Sequence, residues 1–129
     1  MIRQPVDIDT SFYRGLPFAS AVRVSGTQLF TAGITARDDD GVLVGPGDMR
    51  KQFEQIFLRL GQIAANGGTS FEHLVKVTIF VTDIARAYAD PEQWRRYFVN
   101  RPASTLVEVS RLKSPEVMVE VEAVFAVPD

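Results

Sequence analysis

The sequence contains no cysteine, which excludes disulfides, thiolate metal sites and cysteine nucleophiles. A single histidine, His73, rules out clustered imidazole metal sites and supports no catalytic triad. No run approaches the about 18 consecutive apolar residues of a membrane span. The opening MIRQPVDIDTSF has no apolar stretch of the signal-peptide kind. Neither a span nor a secretory leader is expected, and the cytoplasm is the default compartment. A basic surplus is missing too: 14 Lys and Arg against 16 Asp and Glu leave a net charge of −2. Electrostatic binding to nucleic acid or an anionic membrane needs a basic face, so neither partner is expected. No repeat, linker or low-complexity stretch divides the 129 residues. They read as one domain, 1–129, long enough for a proper core.

What is there is organised around the C-terminal stretch RPASTLVEVSRLKSPEVMVEVEAVF, residues 101–125. Two runs in it alternate with period two, the pattern of half-buried strands. In the first, Thr105, Val107 and Val109 oppose Leu106, Glu108 and Ser110. In the second, Val117, Val119, Val121, Ala123 and Phe125 share one face, with Met118, Glu120, Glu122, Val124 and Ala126 on the other. Lys113-Ser114-Pro115 separates them, which predicts a hairpin. Upstream, the segment 1–15 reads as irregular. Phe18 to Val24 and Gln28 to Gly33 read as two strands of another hairpin around Ser25-Gly26-Thr27. A short strand is expected at Val42–Val44. Asp38-Asp39-Asp40-Gly41 lacks the ligand spacing of a calcium loop and reads as a solvated tip.

Asp48 is a good N-cap for a helix whose apolar stripe is Met49, Phe53, Ile56, Phe57, Leu60, Ile63 and Ala64. Asn66-Gly67-Gly68 stops it. Leu74 to Thr82 is the clearest strand, with Val75, Val77, Ile79 and Val81 on one face and Lys76, Thr78 and Phe80 on the other. Lys76 reads as a solvated or paired lysine. A second helix is expected from Asp90, with Pro91 at its first position and Gln93 closing a capping box. Trp94, Tyr97 and Phe98 form its buried stripe. Pro102 then makes Arg101 extended.

These elements predict an α+β domain with a mixed sheet of about six strands and two helices packed on one face. The opposite face keeps Phe80, Leu106, Met118 and Val124. A semi-apolar face on a small protein implies burial against another subunit.

The sequence resembles the RidA family of reactive-intermediate deaminases, also called the YjgF family. The matching pieces are Phe30-Thr31-Ala32-Gly33, Gly41 to Val44, Gln52 through Asn66-Gly67-Gly68, Val75 to Asp83, Arg101-Pro102-Ala103 and Val119 to Ala123. Their order and spacing, nearly end to end, carry the resemblance. It implies a chorismate-mutase-like fold, a homotrimer and a cleft at each subunit interface. It also implies hydrolysis of small enamines and imines to keto acids and ammonia, with no cofactor and no metal.

Residue by residue, the resemblance places the water-positioning acid at Glu120, the cleft-lining backbone at Gly33 and Ile34, and a cleft aromatic at Phe18, where deaminases usually carry Tyr. The substrate-carboxylate arginine of the deaminases falls on Ser104, the polar residue after it on Thr105, and a cleft cysteine on Leu106. A hydroxyl cannot replace a guanidinium fork. Losing a buried pairing of that kind costs about 2–5 kcal/mol of binding. Strand parity does not put Arg37 or Arg111 in the cleft, and both read as surface arginines. Glu120 reads equally as a catalytic acid and as a strand carboxylate bonded to a neighbouring subunit. Glu122 reads as structural. Three outcomes therefore stand: a C–N hydrolase with altered substrate preference, a trimer that binds a small ligand or partner without catalysis, and RNA cleavage, which the resemblance suggests for some relatives and the acidic pI of about 5.4 disfavours.

Overall fold

The structure, a computed structural model, describes residues 1–129. Six strands form in two groups. β1 (Ile2–Val6) and β2 (Ala21–Ser25) make an antiparallel ribbon. The main sheet has the order β3 (Gln28–Phe30), β6 (Val119–Ala126), β4 (Leu74–Val81), β5 (Ala103–Glu108). A parallel bridge between Ala19 and Ala103 ties the end of the ribbon to the edge of that sheet. The α+β reading holds, with its six strands split four and two.

Neither expected hairpin forms. β4 lies between β5 and β6, parallel to the first and antiparallel to the second. Parallel pairing needs a crossover, and the helices α3 (Ile84–Ala89) and α4 (Glu92–Arg95) supply it. β2 pairs with β1, not with β3, which joins β6 instead. β1 was unreadable because its residues are almost all exposed, so no apolar alternation marks it. Val42–Val44 contributes one isolated bridge, Arg37 with Leu43, and no strand. The acidic tip is a solvated turn, with Asp38 accepting from the amides of Asp40 and Val42.

α2 (Met49–Asn66) follows its sequence signals. Asp48 caps it by accepting from the Lys51 amide. Met49, Phe53, Ile56, Phe57, Leu60 and Ala64 are buried against Val77, Ile79, Val119, Val121 and Phe125 of the sheet. The second expected helix forms but is shorter and capped differently than its signals imply. Asp83 caps α3 by accepting from the Arg86 amide, Asp90 ends that helix, and α4 has no side-chain cap. Gln93 closes no capping box: it is buried and donates to the carbonyls of Ala87 and Asp90. Trp94 and Tyr97 pack on Phe53 and Phe57, with ring centroids 5.5 and 4.2 Å apart. No helix is long and apolar enough to cross a membrane.

The uncovered face of the sheet carries Phe30, Phe80, Val107 and Val124. Two residues expected there are elsewhere. Leu106 lies opposite Ile79 and packs against the core, and Met118, just before β6, is 8% exposed and inside it.

Candidate functional site

The sequence-predicted residues fall into two groups on one protomer. The first surrounds a cleft of about 280 Å³ at the start of β5, lined by Phe18, Ser104, Thr105, Tyr13 and Lys76. The segment 7–20, which carries Phe18, reaches this position through Arg101. Its guanidinium donates to the carbonyls of Leu16, Tyr13 and Phe18 and to both oxygens of Asp7. Arg101 is not extended: its φ is 49°, a left-handed conformation that costs a non-glycine residue about 1–2 kcal/mol. These five hydrogen bonds hold it there. One arginine therefore fastens the cleft wall to the root of β5.

The Asp7–Arg101 pair makes this wall sensitive to acid. Arg101's hydrogen bond holds the Asp7 carboxyl below its usual value, against a smaller opposing effect of partial burial. A depressed carboxyl stabilises the fold above its unfolded-state value of about 4, and that contribution disappears as pH falls through the folded value. Thermal unfolding between pH 6 and pH 3 is expected to show a steeper loss for the natural protein than for Asp7→Asn. Parallel curves would remove the pair from this role.

The second group lies at the end of β3. Thr31 and Ile34 bond to Ala123 and Val121 of β6 on either side of Gly33. The chain bends between them, as a glycine at a strand end suggests. Gly33 and Ile34 line a cleft of about 400 Å³ with Thr35, Arg37, Arg59 and Asn66. Glu120, half-buried at the start of β6, lies directly against Gly33: a Cβ there would stand 2.4 Å from Glu120 Oε2. A side chain at position 33 is thus incompatible with the carboxylate's present place. None of the chain's ion pairs includes Glu120. No cluster of three or more His, Cys, Asp or Glu is positioned to hold a metal ion.

Three residues that the sequence did not place in a cleft line one. Arg37 lines the Gly33–Ile34 cleft, whereas Arg111 lies in a separate surface groove with Lys113. Tyr13 lines the first cleft and brings a phenol into it, although Phe18 itself has none. Lys76 borders that cleft and donates to Thr105 Oγ1 at 2.6 Å. No local pattern marks Tyr13, since it enters from a four-residue helix (Ser11–Arg14, α1) folded back over the sheet edge. Lys76 had a signal, its parity on β4 opposite the valine face.

The chain is similar to known proteins over most of its length. The family model described as Endoribonuclease L-PSP matches residues 11–127. A RutC family protein of Synechocystis sp. is 33% identical over 115 residues, 87% of each chain. A 2-iminobutanoate/2-iminopropanoate deaminase of Capra hircus is 28% identical over 109 residues, 84% of this chain and 78% of that one. A crystal structure of a Rid family protein of unknown function from Yersinia pestis superposes with a TM-score of 0.87 at 27% identity, covering 98% of this chain and 100% of its own.

Proposed function

The chain belongs to the RidA (YjgF) family, and from that premise we propose that it hydrolyses a small enamine or imine in a cleft completed between the subunits of a cytoplasmic homotrimer. The observation that carries this reading is the Glu120 carboxylate, in no ion pair within the chain and set directly against the backbone of Gly33, a residue that itself lines a polar cleft. A carboxylate so placed can orient a water. Water oxygen bonds to the C=N carbon as its proton passes to Glu120. Glu120 returns that proton to nitrogen, giving a carbinolamine; it then takes the carbinolamine's O–H proton and delivers it to the same nitrogen as the C=O bond forms and the C–N bond breaks. One water and one imine yield one carbonyl compound and one ammonia. Enamines enter the same sequence after protonation at carbon.

The two groups of cleft residues lie apart on one protomer, which favours a site shared between two. One subunit presents Glu120, Gly33 and Ile34, and its neighbour presents Phe18, Ser104 and Thr105. The semi-apolar uncovered face, with Phe30 70% exposed, is the surface such an assembly would bury. Leu106 packs against the core and is not among the residues that line the cleft.

The test is ammonia release from 2-aminoacrylate generated in a coupled assay, with light scattering alongside. Turnover and a mass of three times 14.3 kDa are expected. No release above the uncatalysed rate sinks the hydrolytic reading and leaves a trimer that binds without catalysis, and a monomer sinks the shared cleft. Gly33→Ala gives a sharper prediction. The added methyl displaces the flexible Glu120 side chain and spares the backbone, so activity should fall at least about tenfold, since even about 1 Å of misplacement is costly. The melting temperature should barely move.

A further inference from the structure

We infer that Lys76 holds the anionic group of a small carboxylate ligand in the Phe18–Ser104 cleft, a contact that the side chain at 104 is too short to make. This rests on reading that cleft as part of the substrate site. Among the residues lining it, Lys76 alone carries a positive charge. It also borders the adjoining groove of about 230 Å³ beside Thr31, Thr78 and Glu122, so the residue borders two concavities.

Lys76 has no counter-ion within the protomer. The chain's six ion pairs all lie elsewhere. Glu122 shares its face of the sheet, opposite Thr78, without pairing to it. What fixes the ammonium is the hydrogen bond to Thr105 Oγ1, from the residue next to Ser104. An ammonium has three donors, so two remain for a ligand. Desolvation by burial lowers the Lys76 pKa from its ordinary value. A cation desolvated but unpaired binds an incoming anion more strongly than a solvated surface lysine does. Its grip differs from an arginine's: a point charge on a flexible stem binds one oxygen at a time and tolerates more than one anion shape.

The test uses pyruvate as probe, with pyruvamide as its neutral counterpart, in calorimetric titrations of the full-length protein. The natural protein should prefer pyruvate by about tenfold or more, the worth of one charge-assisted hydrogen bond. Lys76→Met should erase the preference, Lys76→Arg should retain part of it, and Ser104→Arg added to Lys76→Met should restore it. Lys76→Gln, which keeps a donor towards Thr105, stands in should the Met variant lose its fold. An unchanged preference in a folded charge-removing variant overturns the inference, as does a natural protein with no preference. Ammonia release is measured in parallel. Lys76-dependent binding without turnover keeps this inference and sinks the hydrolytic reading, and turnover with Lys76-independent binding does the reverse.

Discussion

Glu120→Gln should lower the rate of ammonia release by about 10²–10⁴-fold, the usual worth of a positioned acid–base group. The amide has nearly the carboxylate's shape and can still hold a water, but it cannot take that water's proton. KM should change little, because the loss falls on the transition state. Stability should be almost untouched. Glu120 is half-buried and takes part in no ion pair within the chain, so the change strands no partner. Glu122→Gln is the control: its exposed side chain lies on the same face two residues along β6, and its rate should stay near the natural one. The alternative role for Glu120, a strand carboxylate bonded to a neighbouring subunit, gives the opposite pattern. The trimer would then dissociate at higher protein concentration while kcat per assembled site held.

Gln52→Leu should cost about 3 kcal/mol, the sum expected when one buried and two part-buried backbone groups lose their partner. Gln52 is fully buried on α2, yet it is polar. Its amide nitrogen donates to the carbonyls of Gly45 and Glu116, at 3.0 and 2.8 Å, and its carbonyl accepts from the Met118 amide at 2.8 Å. One side chain thereby joins the loop before α2 to the residues entering β6. Leucine matches its size but satisfies none of these groups. The melting temperature should drop by about 10–20 °C for a domain of this length. Glu120 begins two residues beyond Met118, so activity should fall even below the melting transition. A loss of under about 1 kcal/mol by chemical denaturation would show that water replaces the lost bonds.

Much of the local structure was legible. The α2 stripe, its Asp48 cap and its glycine stop are signals within one turn of the residues they govern. The burial of Val77, Ile79, Val119 and Val121 follows from period-two alternation, because the face that meets the helix must be apolar. The candidate site was legible unevenly. Glu120, Gly33 and Ile34 were found through motifs that match the family, and the structure brings them together. Phe18, Ser104 and Thr105 share the other cleft, whereas Leu106 belongs mainly to the core. Tyr13 and Lys76 became neighbours of one cleft, and Arg37 of the other, only in three dimensions, because their segments are far apart in the chain.

By itself the sequence determined what each segment could be: which residues form strand or helix, which face each buries, and which chemistries cysteine and histidine scarcity forbid. These depend on neighbours a few positions away. Tertiary structure alone decided which strand lies beside which, placing β4 between β5 and β6 and giving β2 a partner in the unpatterned N-terminus. Backbone hydrogen bonds are the same for every residue, so strand pairing leaves little trace in side-chain order. For the same reason, only the folded chain showed a lysine, Lys76, without a counter-ion and bonded to Thr105 at the edge of a cleft.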